Sequence, residues 1–105
     1  MRSRVCALSD LPKRAALRIE LPGRDIAVVR VGNEVFAVED VCSHAAFPLS
    51  DGRVRRGAHP AIECLLHGSR FDLRTGHPDR PPATEPITVL PVSVVEGDVY
   101  VEIES

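Results

Sequence analysis

The chain has 105 residues, a formal net charge of −2 and 27% charged side chains, which is typical of one soluble folded domain. This charge balance gives no indication of a nucleic-acid partner, and no apolar run approaches the roughly 18 residues that a membrane span requires. The N-terminal segment lacks the apolar stretch of a secretory signal, and three cysteines are an odd number for a disulfide framework. We therefore expect a cytoplasmic protein whose cysteines are available for metal or redox chemistry.

After a first strand that contains Cys6, residues 9–16 are the only segment of the sequence that could form a helix, with Pro12 suited to its first turn. Short β-branched or alternating segments then predict strands, and two hairpin turns are expected at residues 32–34 and 96–98. Cys6 is expected to be a small buried residue in a first strand rather than a metal ligand. The fold class is therefore predicted as mainly antiparallel β. The other predicted strands are residues 17–21, 26–31, 35–38, 61–63, 70–73, 92–95 and 99–103.

The middle of the chain, residues 41–80, is rich in Gly, Pro, Arg, His and Cys and has no long apolar run. A segment that buries little apolar surface needs another source of order, and a bound metal centre would supply it. Charge is also uneven, because residues 41–80 hold six basic and four acidic side chains whereas residues 81–105 hold five acidic and no basic ones. This uneven distribution of charge is typical either of ordinary solvent-exposed surfaces or of two surfaces that contact different partners.

Two short motifs carry the candidate metal ligands, Cys42-Ser-His44 and Cys64-Leu-Leu-His67. Residues two apart in an extended loop point to one side, and a tight turn does the same for residues three apart, so each motif can direct a thiolate and an imidazole at one centre. Gly68 lets the backbone approach whatever is bound there. Four ligands of this kind suit either tetrahedral zinc or a two-iron cluster.

Longer segments around these motifs resemble the Rieske [2Fe–2S] ferredoxins, in particular the small bacterial type that delivers electrons to oxygenases. The resemblance extends from about residue 5 to residue 101. It is carried by Cys42-Ser-His44, residues 48–52 (PLSDG), residues 64–76 (CLLHGSRFDLRTG) and Pro81-Pro82-Ala83.

The resemblance implies a single Rieske domain over residues 1–105, with small antiparallel sheets and a cluster-binding subdomain at about 41–83. It assigns one [2Fe–2S] cluster to the chain, with the cysteines on one iron and the histidines on the other. Ser69 matches a serine that donates a hydrogen bond to a bridging sulfide. The cluster ligands are then Cys42, His44, Cys64 and His67, and the residues expected around them are Phe47, Leu66, Gly68, Ser69, Phe71 and Pro82.

Some residues depart from the family pattern. Nineteen residues separate His44 from Cys64, slightly more than usual, and the extra length is expected in a hairpin over residues 53–60 close to the cluster. Phe47 and Leu66 occupy the positions of a disulfide in high-potential relatives, and Phe71 replaces a tyrosine of those proteins. We therefore expect a reduction potential in the lower part of the Rieske range of about −150 to +300 mV, with Phe47 and Leu66 shielding the cluster from water.

The resemblance implies a one-electron carrier rather than an enzyme, with a flavin-dependent ferredoxin reductase as donor and a terminal oxygenase as acceptor. No nucleic acid or membrane is expected as a partner. Two related roles stay open, namely a Rieske ferredoxin that serves iron–sulfur assembly and a small subunit similar to that of assimilatory nitrite reductase. A zinc-stapled interaction module is an alternative of another class, and it predicts a colourless protein.

Overall fold

Eleven short strands form three antiparallel sheets in the computed structural model, which describes residues 2–13, 15–42, 47–66, 68–81 and 83–103. The strands are β1 (Arg2–Ala7), β2 (Leu17–Leu21), β3 (Arg24–Val31), β4 (Glu34–Glu39), β5 (Arg53–Arg55), β6 (Ala61–Glu63), β7 (Arg70–Asp72), β8 (Pro78–Arg80), β9 (Val89–Leu90), β10 (Val92–Val95) and β11 (Asp98–Glu102). The prediction of a mainly β fold is confirmed. In the described part of the chain, no helix is long and apolar enough to cross a membrane.

The three sheets divide the chain into a base and an inserted unit. One sheet has the strand order β1-β11-β10, and a second has the order β2-β3-β4-β9. The third sheet, in the order β5-β6-β7-β8, is built entirely from the segment between β4 and β9. The charged, glycine-rich middle of the sequence is therefore a sheet of its own, inserted into the base.

The central strand β3 separates two hydrophobic cores, because side chains alternate across a strand and this strand is apolar on both sides. Ile26 and Val28 face the core shared with the first sheet, whereas Ala27 and Val29 face the core shared with the inserted unit. All four are fully buried. The apolar run predicted from sequence is thus the shared wall of both cores.

The two predicted hairpins are present, with turns one residue shorter than expected. Val31 pairs with Glu34, and Val95 pairs with Asp98, so each loop contains two residues rather than three. At the second turn, Glu96 and Gly97 both have positive φ, which is the arrangement of a type I′ turn. The twist of this turn matches that of the strands, so Asp98 can join β11.

The predicted helix over residues 9–16 is wrong. Among the described residues of this part of the chain, the only helical ones form a 3₁₀ turn, Leu8–Asp10, in which the Asp10 carboxylate accepts a hydrogen bond from the Ala7 N–H at 3.1 Å. Leu11 leaves the turn in an extended conformation, with φ −79° and ψ 124°. A residue that precedes a proline is pushed towards extended angles, so Pro12 ends the helix instead of beginning it. A second 3₁₀ turn, Leu49–Asp51, had no counterpart in the prediction.

Candidate metal centre

The two cysteines of the predicted ligand set lie in one hydrophobic core, although they come from separate loops. Cys42 follows β4 and is 3% exposed, and Cys64 directly follows β6 and is 2% exposed. Neither forms a disulfide. Two buried thiol groups in the same core are a suitable pair of ligands for a metal centre, which would sit at the edge of this core.

Three residues of the expected site, His44, His67 and Pro82, lie outside the described residues. The two histidines are therefore predicted ligands, identified by their spacing from the cysteines. Residues 42 and 47 on either side of the first histidine, and residues 66 and 68 on either side of the second, are described, and they show how each loop is held at its ends.

The loop that carries Cys64 connects β6 to β7, and we refer to residues 64–69 as the second loop. Its ends are joined by backbone hydrogen bonds, from the Cys64 N–H to the Ser69 carbonyl at 2.7 Å and from the Gly68 N–H to the Cys64 carbonyl at 2.9 Å. Gly68 has φ +75°, a left-handed conformation that an L side chain rarely adopts. The sequence therefore needs a glycine here to turn the chain back into β7.

Ser69 connects the second loop to the proline-containing segment. Its side chain is fully buried, and its hydroxyl oxygen accepts a hydrogen bond from the Ala83 N–H at 3.1 Å. Because a hydroxyl that accepts still has its own proton to donate, Ser69 keeps the capacity that the predicted bond to a sulfide requires. That bond itself stays a prediction.

The loop that carries Cys42 connects β4 to the 3₁₀ turn Leu49–Asp51, and we refer to residues 40–50 as the first loop. Its two ends are joined by the carboxylate of Asp40, whose side chain is 0% exposed. One oxygen accepts from the Ser50 N–H and the other from the Ser50 hydroxyl, both at 2.6 Å. Inside this closure, the Cys42 N–H donates to the Phe47 carbonyl at 3.0 Å. Asp40 was not predicted, because it belongs to none of the motifs and its partner lies ten positions away.

Gly52, two residues after the first loop, lies against Glu63, the residue directly before the second loop. Its N–H donates to the Leu49 carbonyl at 2.9 Å, which ends the 3₁₀ turn. A Cβ at this position would lie 1.8 Å from the carbonyl oxygen of Glu63, the residue directly before Cys64. Real Cβ atoms do not approach an oxygen so closely, so only glycine allows the two backbones to pass at this distance.

The other side chains expected around the centre differ in exposure. Phe71 is fully buried, and Phe47 is partly buried and packs against the core that contains both cysteines. Leu65 and Leu66 are 53% and 45% exposed, so the second loop presents two apolar side chains to solvent. The shielding of the centre by Phe47 and Leu66 stays a prediction.

Cys6 lies in β1 and is buried in the other core, as predicted. Burial is the main cause that raises the pKa of its thiol above the ordinary value, and the nearby Asp10 carboxylate raises it further. A thiol held in its protonated form is a poor metal ligand. Both its position and its chemistry thus separate Cys6 from Cys42 and Cys64.

Residues 53–60 form β5 and the loop that connects it to β6, so they are one half of the predicted hairpin, and only the β5 end, at Arg53, lies beside Cys64. Arg53 pairs with Glu63 beside Cys64, whereas Arg55 pairs with Ala61 at the other end of β6. Three residues of strand span about 10 Å, so the connecting loop is directed away from the cysteines. Arg56 instead lines a hollow together with Arg30 and Gly32, at the turn between β3 and β4.

The family profile of the Rieske [2Fe–2S] domain matches residues 1–92. Among characterised proteins, the chain is 45% identical over 80 residues to the anthranilate 1,2-dioxygenase ferredoxin subunit of Burkholderia cepacia, covering 76% of this chain and 71% of that protein. It is 39% identical over 98 residues to the 3-phenylpropionate/cinnamic acid dioxygenase ferredoxin subunit of Escherichia coli K12, covering 93% of this chain and 90% of the relative.

Solved structures show the same similarity. The ferredoxin of carbazole 1,9a-dioxygenase from Nocardioides aromaticivorans IC177 superposes with a TM-score of 0.92 at 33% identity, and the match covers 99% of both chains. A complex of reduced oxygenase and oxidized ferredoxin in carbazole 1,9a-dioxygenase contains a chain that is 39% identical, with a TM-score of 0.86, covering 95% of this chain and 100% of that one. A nitrite reductase small subunit from Mycobacterium tuberculosis, at 24% identity and a TM-score of 0.85 over 100% of this chain and 97% of that chain, shares the fold.

Proposed function

Since the chain belongs to the Rieske [2Fe–2S] domain family, we propose that it is a one-electron carrier that receives electrons from a flavin-dependent ferredoxin reductase and delivers them to a terminal oxygenase. The observation that carries this proposal is the pair of buried cysteines, Cys42 and Cys64, which two separate loops bring into one core. The similarity to ferredoxin subunits of dioxygenases over 93% of the chain supports the oxygenase as acceptor.

The described residues fit one [2Fe–2S] cluster per chain. The cluster, when bound, accepts and releases a single electron. Both cysteine side chains lie on the buried side of the site. Gly68, with no side chain and a positive φ, leaves room beside Cys64, and the buried Ser69 hydroxyl has a proton that it can donate there. We propose that Cys42 and Cys64 bind one iron and that His44 and His67 bind the other, with neutral imidazoles that reduce the negative charge of the centre.

We also propose how the chain is organised around this centre. The single Rieske domain spans residues 1–105, and the sheet β5–β8 together with the first and second loops forms the cluster-binding subdomain at about 41–83. The insertion of that sheet between β4 and β9 supports this division. The protein has no catalytic residues of its own and works in the cytoplasm as the electron-transfer component of a multicomponent dioxygenase.

A reconstituted dioxygenase assay tests the carrier role. Terminal oxygenase and reductase of an aromatic-ring dioxygenase are mixed without their ferredoxin, and the purified protein is added. We expect NADH-dependent product formation to depend on the added protein, and the protein alone to form no product. If the oxygenase turns over equally well without the protein, or if the protein is colourless and contains one zinc per chain, the carrier role is wrong.

A further inference from the structure

The outer face of the inserted sheet is dominated by arginines, and we refer to Arg53, Arg55, Arg70 and Arg80 as the arginine face. The opposite face of the same strands is apolar, with Ile62 and Phe71 fully buried in the core. Arg53, Arg55 and Arg80 are exposed, and Arg70 is partly exposed. A sheet with one buried face thus presents its charges outwards, on the side away from the base.

A row of charged residues crosses this face directly beside the second loop. Arg53 pairs with Glu63, Glu63 with Arg70, and Arg70 with Arg80, so the four side chains stand opposite one another on adjacent strands. Glu63 immediately precedes Cys64, and Arg70 immediately follows Ser69. The row is therefore one residue, or about 3.3 Å of strand, from the loop that carries a predicted cluster ligand.

The carboxylate of Glu63 holds the centre of the arginine face in place. Its side chain is 8% exposed, and it accepts hydrogen bonds from Arg55 Nε at 2.5 Å and Arg80 Nη1 at 3.5 Å. One buried negative charge thus fixes two guanidinium groups that remain about half exposed.

Residues 53–80 contain six arginines against Glu63, Asp72 and Asp79, which gives +3, whereas the rest of the chain contains seven basic and twelve acidic residues, which gives −5. Charge is therefore distributed unevenly over the protein, and the net positive charge lies on the inserted sheet, next to Cys64. An approaching negative surface is attracted to this end and repelled by the remainder, which orients the encounter.

We propose that the arginine face is the docking surface for a carboxylate-rich surface of an electron-transfer partner, an inference that rests on the carrier role proposed above. A hollow of about 370 Å³, lined by Arg55, Arg56, His59 and Arg70, gives the face a concave site for an acidic side chain. Asp79, which pairs with Arg70 at 2.6 Å, limits the excess charge there. The charge row beside Cys64 then brings the partner to the loop from which the electron leaves.

Two inorganic oxidants of opposite charge test the electrostatic field of the arginine face, and this test needs no identified protein partner. The reduced protein is mixed in a stopped-flow instrument with ferricyanide, an anion, or with hexaammineruthenium(III), a cation. The variant Arg53→Glu/Arg80→Glu should lower the ferricyanide rate about tenfold at low ionic strength and raise the ruthenium rate. Arg53→Gln/Arg80→Gln should give a smaller change in the same directions, and it avoids a new carboxylate beside Glu63.

A matched control places the same charge change elsewhere. Arg2 and Arg4 lie on β1, in the sheet that packs on the other core, so Arg2→Glu/Arg4→Glu should change both rates less than about twofold. Equal effects of the two double variants would contradict a local field, and so would unchanged rates in the glutamine variant. Each variant must first show the visible spectrum of the wild-type cluster.

Binding of a fluorescent oligoglutamate peptide tests the nature of the occupant. The wild type should bind the peptide at low ionic strength, and the Arg53/Arg80 variants should bind it about tenfold more weakly, whereas the Arg2/Arg4 variant should not differ. If phosphate displaces the peptide more strongly than chloride at equal ionic strength, the face binds small anions and the docking proposal is wrong. A coloured, reducible protein with unchanged peptide binding in all variants contradicts only the docking surface, whereas a colourless protein contradicts the carrier role.

Discussion

The two loops that carry the predicted ligands are closed by different means. The second loop is closed by its own backbone, through the paired hydrogen bonds between Cys64 and residues Gly68 and Ser69. The first loop is longer, and a buried side chain closes it, the carboxylate of Asp40 bound twice to Ser50. One ligand loop is thus an ordinary hairpin connection, whereas the other adds a buried polar side chain outside the ligand motif to its backbone hydrogen bond between Cys42 and Phe47. If the two loops are closed independently, a substitution in one of them should leave the hydrogen bonds that close the other intact.

The largest expected effect is the loss of the cluster when either loop loses its cysteine. Cys42→Ser and Cys64→Ser should each abolish the visible absorbance and lower iron content at least about tenfold, because a serine hydroxyl stays protonated where a thiolate binds metal. Iron and acid-labile sulfide analysis provides the measurement. Cys6→Ala is the matched control, since Cys6 lies in the other core, and it should keep a full cluster. Retention of a full cluster with an unchanged visible spectrum by either serine variant would exclude that cysteine as a ligand.

A smaller but still severe effect is expected at the junction of the loops. In Gly52→Ala the new Cβ would collide with the Glu63 carbonyl, so the free energy of unfolding should fall by about 3 kcal/mol or more. Gly23→Ala is the control, because Gly23 also lies next to a strand but a Cβ added there would meet no atom within 4 Å. It should lose about 1 kcal/mol, the cost of a positive φ. Chemical denaturation measures both, and equal losses would contradict a close approach at Gly52.

The closure of the first loop should be the next most sensitive feature. Asp40→Ala leaves the partly buried Ser50 N–H without its acceptor, so we expect a loss of about 2 kcal/mol in unfolding free energy. Asp40→Asn keeps an acceptor oxygen and should lose less. The exposed Asp51 lies in the neighbouring 3₁₀ turn, and Asp51→Ala should have almost no effect. If Asp40→Ala also releases iron faster than Asp51→Ala does, the closure positions the ligands; a stable Asp40→Ala variant would show that the first loop needs no such closure.

The smallest expected effect concerns the tuning of the cluster by the second loop. Ser69→Ala should lower the reduction potential by on the order of 40 mV, which corresponds to one hydrogen bond of roughly 1 kcal/mol for a one-electron couple. Protein-film voltammetry provides the measurement, with Ser93→Ala on β10 as the control. An unchanged potential in a variant that retains its cluster would mean that Ser69 only connects the loop to Ala83.

The sequence predicts those parts of the molecule whose contacts are local. The hairpins β3–β4 and β10–β11 follow from apolar strands around short turns, and the second loop follows from a cysteine and a glycine four residues apart. The helix prediction failed because the restriction that Pro12 imposes on Leu11 outweighs the helical tendency of the residues that follow.

The contacts that sequence patterns could not predict join distant positions. Asp40 and Ser50 are ten residues apart, and nothing in either neighbourhood marks them as partners. The loop that connects β5 to β6 is directed away from Cys64 because Arg55 pairs with Ala61 at the far end of β6. Only the strand register shows this direction. The short strands β8 and β9 lie in a proline-rich stretch, and their pairing with neighbouring strands stabilises them rather than the β-propensity of their own residues. Their own sequences therefore do not predict them.

Low-temperature EPR spectroscopy of the dithionite-reduced protein, purified without oxygen, tests the central claim most directly. Two histidines in place of two cysteines predict a rhombic signal whose average g value lies below that of all-cysteine two-iron clusters, integrating to about one spin per chain. A signal with the average g value of an all-cysteine cluster would contradict the ligation by His44 and His67. A colourless, EPR-silent protein with one bound zinc would contradict the electron-transfer role altogether.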